Sequence, residues 1–285
     1  MKVEHSGNLP SIALIGAGNV ATHLGTALHE AGCPVRMVYS RTQESARTLA
    51  GNIGCPYTTD ITSTDDKADI YIVSLKDSVL ETILPQLVKR NPNALFVHTA
   101  GSVSIDIWKG LTARYGVMYP MQTFSRQRKV SFANVHFFIE ANSRKDTELL
   151  MKTASLLSGH VYEATSAQRR YLHISAVFAC NFTNHLYAIC ERILTSHGLP
   201  FSAMLPLIDE TTEKIHHLSP LSAQTGPARR GDRNIMESHL DMLKDEPKTA
   251  ELYRLMSESI QDYDNGPSAE SSNRTFNSAE GRHIM

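Results

Sequence analysis

Apolar residues occur in blocks of two kinds along the first half of this chain. Short continuous runs, beginning with Ile12-Ala-Leu-Ile15, predict strands over 12–15, 34–39, 55–58, 68–75, 94–97, 115–118, 133–140 and 161–162. Between them apolar positions recur at helical spacing, from Ala21 through Leu24 and Leu28, and then over 43–52, 79–89 and 145–158. Runs without polar alternation fit strands covered on both faces, as in parallel sheets. The regular alternation of strand and helix predicts a doubly wound, mostly parallel α/β sheet.

From Ser166 the pattern changes, and only helix-length periodicity continues. One long helix is expected over 167–196, stopped by Gly198 and Pro200. A second is expected over 203–217, with Ser202 as its cap and Pro206 near its start. A loop over 220–232 precedes helices at 234–244 and 247–263. The expected division is therefore an α/β domain over 1–165, a smaller all-helical substrate and dimerisation domain over 166–264, and a disordered tail over 265–285. The tail is rich in Ser, Asn and Gly and nearly devoid of apolar residues.

Composition narrows the functional classes. With 285 residues, 41% hydrophobic and 20% charged, the chain reads as an ordinary globular protein. A formal net charge of -1 supplies no basic field, so neither nucleic acid nor an anionic membrane is expected as a partner. Cys33, Cys55, Cys180 and Cys190 form neither a C-x-x-C pair nor a metal-like cluster with His, which predicts reduced thiols, no metal and a cytoplasmic setting. Residues 1–10 contain no apolar signal core, and no run approaches the roughly 18 apolar residues of a membrane span.

The chemistry begins at Gly16-Ala-Gly18-Asn-Val-Ala21. Gly16 suits a tight turn, Gly18 lets the backbone approach a pyrophosphate, and Ala21 is small enough for close helix–strand packing. Asn19 and Val20 would lie in the first helical turn, over the phosphates. A dinucleotide site specific for NAD places Asp or Glu about 20 residues further on, against the ribose 2′-hydroxyl. Here the second strand ends in Ser40-Arg41-Thr42. Two hydroxyls and a guanidinium suit a 2′-phosphate that a carboxylate would repel, so the expected cofactor is NADP(H).

Ligands of doubly wound sheets bind outside the carboxyl ends of the strands. Ser74 and Leu75 close the fourth strand, and His98-Thr99-Ala100-Gly101-Ser102 the fifth. Ser74, Leu75 and Thr99 are therefore candidate cofactor contacts, and His98 a candidate catalytic group. On a regular helix His173, Val177, Cys180 and Asn184 share a face, with Asn181 about 80° away from His173. His173 is a candidate proton donor and Asn181 a candidate anchor for the polar atom being reduced. Arg169 and Arg170 precede that face and read as solvated surface residues. In the later loop, Gly226 and Pro227 fix the backbone. Arg230 and Asp232 could anchor a substrate carboxylate or simply pair with each other, and His239 could face the same cleft.

With these residues in view, the chain resembles the bacterial NADP oxidoreductases that join a Rossmann-like domain to a C-terminal helical domain of unknown function, the family numbered 2520. The resemblance covers essentially 10–263, through Gly16 to Ala21, Ser40-Arg41, His98 to Gly101, Pro120 to Phe124, His173 with Asn181, and Thr225-Gly226-Pro227 followed by Arg230 and Asp232. More distantly it looks like the deazaflavin-dependent NADP reductases, pyrroline-carboxylate and ketopantoate reductases, and 6-phosphogluconate-type dehydrogenases. That resemblance implies a cleft between the two domains and homodimers built through helices. Two departures stand out. The dehydrogenases carry a Lys with Asn four residues on, where this chain has His173 and Val177, and Tyr119 replaces the His that often precedes the family's Pro. The expected function is NADPH-dependent reduction of a small carbonyl or imine, such as the 2-oxo acid ketopantoate. The competing expectation is a non-catalytic nucleotide-sensing module that self-associates through its helices.

Overall fold

A computed structural model describes residues 9–65, 67–125 and 127–265, excepting the side chains of the last two. The tail expected to be disordered falls almost entirely outside the described residues. The chain forms two compact units, Met1–Phe182 and Thr183–Met285. The division thus falls inside the long helix rather than at its start.

The first unit is the expected doubly wound sheet. Its strands are β1 (Ile12–Ile15), β2 (Val35–Tyr39), β3 (Tyr57–Thr58), β4 (Ile70–Val73), β5 (Leu95–His98), β6 (Tyr115–Met121), β7 (His136–Ala141) and β8 (Val161–Glu163). They lie in the order β3-β2-β1-β4-β5-β6-β7-β8. All neighbours are parallel except β6 and β7. Helices α1 (Asn19–Glu30), α2 (Gln43–Ile53), α3 (Asp77–Leu87) and α4 (Arg144–Ser155) connect them.

Burial on both faces explains the unbroken apolar runs. Ile12, Leu14, Val38, Ile70, Ile72, Leu95 and Val97 pack on one side with Ala21, Leu24 and Leu28 of α1 and Leu150 of α4. Ala13, Ile15, Tyr71, Val73 and Phe96 pack on the other with Leu80, Leu84 and Leu87 of α3 and with Trp108. Ala21 is buried, and α1 also approaches the sheet closely at Gly25, where an added Cβ would overlap the Leu14 side chain.

Residues 166–196 form the expected long helix with one interruption. It comprises α5 (Ser166–Ala176), a π-helical turn (Val177–Phe182) and α6 (Thr183–Ser196). A capping box starts α5: the Thr165 side chain accepts from the Gln168 N–H, and the Gln168 side chain accepts from the Thr165 N–H. The second unit continues with α7 (Leu205–His217), α8 (Pro220–Ala223), α9 (Pro227–Arg230), α10 (Arg233–Met242) and α11 (Pro247–Asn265). Ser202 is not the cap of α7: it lies in a 3₁₀ turn, Phe201–Met204, with Pro206 in the first turn of the helix that follows. The expected loop over 220–232 contains two one-turn helices, each begun by a proline.

Candidate functional site

At the glycine turn, Gly16 has φ +122°, and an added Cβ would overlap the Ser74 carbonyl while lying 3.3 Å from Leu75 Cδ2. A side chain is excluded there on both conformational and steric grounds. Gly18 is the N-cap of α1, supplies no side-chain cap, and has open space where a Cβ would stand. The first turn of α1, Val20 included, is therefore left without a side-chain cap on its N–H groups, which is what a bound phosphate would use.

The floor of the site is continuous. Thr99 donates from its hydroxyl to Ser74 Oγ at 3.0 Å, its N–H reaches the Val73 carbonyl, and Gly16 N–H reaches the Tyr39 carbonyl. Gly16, Ser74, Leu75 and Thr99 are thus neighbours, drawn from three separated stretches of sequence. The Asn19 side chain has another job: Nδ2 donates to the Phe124 carbonyl at 2.9 Å and ties the loop after β6 to the start of α1.

At the end of β2, Ser40 is buried and Arg41 exposed, and Arg41 makes no hydrogen bond or ion pair among the described residues. Thr42 forms the N-cap of α2 with no side-chain cap bond. The nearby carboxylate of Asp60 is held ionised below its ordinary range by Ser63 and Thr62 hydroxyls and the Thr62 N–H. Those bonds are local to the Asp60 turn, and among the described residues no carboxylate bonds Arg41. Turn, uncapped helix and unpaired cation together fit a phosphorylated dinucleotide.

His98 is enclosed rather than presented at the strand end as a catalytic group would be. Its ring is fully buried, stacked on Trp108 at 6.3 Å, and its Nδ1 accepts from the Ala100 N–H at 3.2 Å. Burial, reinforced by the Arg169 charge and only partly offset by the Ser104 backbone, lowers its pKa to about 3. It stays neutral and shapes the loop after β5.

Arg169 is likewise not a solvated surface residue but fully buried. Nη1 pairs with Glu140 at 2.6 Å, Nη2 donates to the Val103 carbonyl at 2.6 Å, and Nε to that of Ala100 at 3.3 Å. Ser166 bridges the same Glu140 and accepts from the Ile105 N–H. This network fixes α5 against β7 and the loop after β5.

The fixed helix carries His173 to Tyr119. His173 Nδ1 lies 3.4 Å from the Tyr119 hydroxyl, with the rings edge to face. Tyr119 is 9% exposed, and burial raises its pKa, with Arg169 acting in the opposite sense and Cys180 in the same one. The pair has room because of Gly101: a Cβ there would come 2.8 Å from both His173 Nδ1 and Tyr119 Cζ. Register explains the meeting, since His98 pairs with Val117, which leaves Tyr119 beyond the last paired residue of β5, beside the loop that holds Gly101.

Asn181 is exposed and lies in the π turn. The helical phase expected for it assumes 100° per residue. A π turn, with i→i+5 bonding, advances each residue by less and brings Asn181 back toward the face of His173. The remaining candidates belong to the second unit. Arg230 Nε and Nη2 both bond Asp232 Oδ2, at 2.9 and 2.8 Å, so this pair is internally bridged. Gly226 has φ +106° and Pro227 opens α9. His239 Nδ1 meets the Tyr253 hydroxyl at 2.9 Å.

Residues 11–101 match the family described as NADP oxidoreductase, coenzyme F420-dependent. Residues 135–260 match the domain of unknown function numbered 2520. A candidate NADP oxidoreductase from Bacteroides fragilis is 52% identical, covering 89% of this chain and 98% of its own, with a TM-score of 0.86. The chain belongs to this family of NADP oxidoreductases.

Two more distant structures share its fold. A protein from Thermotoga maritima is 22% identical over 87% of this chain and 99% of its own, with a TM-score of 0.68. An imine reductase from Myxococcus stipitatus, in complex with NADP+, is 14% identical over 92% and 95%, with a TM-score of 0.62. No curated protein matches the chain significantly. Among the described residues no helix is long and apolar enough to cross a membrane.

Sequence reasoning gives no catalytic role to Tyr119 or Gly101. Both stand in polar strand endings, but nothing local announces that a tyrosine on β6 will face a histidine on α5. A tyrosine just before Pro120 at a strand's carboxyl end is the available signal.

Proposed function

We propose that this NADP-dependent oxidoreductase reduces a small carbonyl or imine compound with NADPH. The observation that carries the cofactor half is the exposed, unpaired Arg41 at the end of β2, next to Ser40 and beside the glycine turn. NADPH, when bound, supplies the hydride. The chain's own residues do the rest: the α1 N-terminus and Gly18 receive the pyrophosphate, Ser40, Arg41 and Thr42 the 2′-phosphate, and the Tyr119–His173 pair handles the proton. Asn181 is the proposed partner of the polar atom under reduction. For a carboxylate-bearing member of the class, a 2-oxo acid such as ketopantoate, Arg230 is the proposed anchor, held in place by Asp232. Gly226, Pro227 and His239 are proposed to shape that part of the site.

A homodimer is proposed as the working form. In the first unit Tyr171, Phe178 and Phe182, and in the second, separately, Leu207 and Met242, are half or more exposed, and a second copy of the chain would cover apolar side chains of this kind. Four free thiols support a reducing, cytoplasmic setting.

The test is comparative binding followed by turnover. NADPH is expected to bind at least about tenfold more tightly than NADH, roughly 1.4 kcal/mol, with Arg41→Ala erasing the difference. Equal affinities in the wild type would overturn the cofactor assignment. NADPH oxidation with a panel of 2-oxo acids, cyclic imines and a deazaflavin then identifies the substrate class, and silence across the panel would favour a sensing module.

A further inference from the structure

The meeting of Tyr119 with His173 beside Gly101 has a direction built into it. Tyr119 is nearly enclosed, whereas His173 is half-buried on α5 and open to water on one side. Among the described residues the phenol has a single hydrogen-bond partner, His173 Nδ1 at 3.4 Å. The gap left by Gly101 lies at the carboxyl end of β5, in the row of strand ends where a sheet of this type presents its ligand.

We propose that Tyr119 is the group that delivers the proton to the substrate heteroatom, and that His173 is its proton reservoir rather than the donor itself. This rests on the chain being a reductase of C=O or C=N bonds.

Two hydrogen arrangements alternate at the pair. When His173 is neutral with Nδ1 bare, the phenol O–H donates to that nitrogen and offers nothing to a substrate. When His173 is protonated, Nδ1–H donates to Tyr119 Oη, and the phenol hydrogen turns toward the ligand. As hydride from NADPH adds to the substrate carbon, the π electron pair moves to the oxygen or nitrogen. That atom takes the phenol proton, the Tyr119 O–H bond breaks, and its electron pair stays on Oη. Oη then takes the Nδ1 proton of His173, and the neutral imidazole is reprotonated from water.

The surrounding charges suit the role. Arg169 acts on Tyr119 to stabilise the transient phenolate, while burial keeps the phenol protonated beforehand. Arg169 is itself neutralised by Glu140, and Cys180 is the other titratable group acting on the phenol. His98, buried and neutral, does not compete for the proton.

Tyr119→Phe, His173→Gln and Gly101→Ala distinguish these roles, assayed with NADPH against cyclic imines and 2-oxo acids. Tyr119→Phe is expected to lower kcat at least about 100-fold with NADPH binding unchanged. His173→Gln, which can still hold the phenol, should lower kcat less and abolish the fall of kcat at high pH. Gly101→Ala should lower kcat by forcing the two rings apart. Wild-type turnover with Tyr119→Phe retaining full kcat, or with His173→Gln keeping the wild-type pH profile of kcat, would overturn the inference while leaving the reductase reading intact. Wild type that binds NADPH but turns over nothing in the panel would overturn the reading beneath it, and the inference with it.

Discussion

Up to Phe182 the chain closes two apolar clusters, one on each face of the sheet, and even buries a guanidinium and an imidazole. Beyond Phe182, Ala228 is the single buried residue among those described, although α6, α7, α10 and α11 each carry an apolar stripe. The contrast follows from geometry. A sheet with helices on both faces encloses its apolar residues within one copy, whereas a few helices of 10–19 residues leave their apolar stripes open to water unless something covers them. One unit is therefore stabilised from within. The other is suited to being completed from outside.

The largest effect that would sharpen this contrast is at Arg169. Replacing it with Ala leaves Glu140 half-enclosed without its cation and frees two backbone carbonyls. A loss of about 3–5 kcal/mol is expected in denaturant unfolding, read from the first unit. Next comes Leu207→Asp, which places a charge on the exposed face of α7. It is expected to weaken self-association on the order of 100-fold, about 2.7 kcal/mol, measured by sedimentation across concentration. The unfolding of the sheet unit should not change. A monomeric wild type at high concentration would break the comparison.

A smaller and pH-dependent effect concerns His98. Its folded pKa, about 3, lies below the unfolded value near 6.5, so the unfolded chain binds the extra proton between those limits. Stability is then unaffected above about pH 6.5 and falls as pH drops below it, by up to about 1.4 kcal/mol per pH unit from this group. His98→Phe should flatten that acid-side slope in urea unfolding curves. An unchanged slope would mean that the imidazole is charged in the folded protein.

Much of the first unit can be read directly. Each strand except the short third and eighth is a largely apolar run, broken in β2 by Arg36 and in β7 by His136 and Glu140, and Gly16, Gly18 and the hydroxyl-guanidinium ending of β2 carry their chemistry in a few consecutive residues. Less of the reaction site is legible. His98 reads as a catalytic candidate because it ends a strand, yet Trp108, ten residues on, covers it. The phase expected for Asn181 belongs to a regular helix, and the π turn alters it, since no local signal marks where the i→i+4 bonding will slip. Arg230 and Asp232 are open to two readings in sequence, and their separation of two residues allows the bridge that forms.

What the sequence by itself determined is whatever depends on near neighbours: strand and helix periods, the glycine turn, and the missing acid after β2. These are set by backbone sterics and side-chain type over a handful of residues. Tertiary structure alone decided that Tyr119 meets His173, that Gly101 must be bare to let them, and that Arg169 is buried rather than solvated. Those contacts join residues 18 to 72 positions apart, so they follow from sheet register and the docking of α5, which no local pattern encodes.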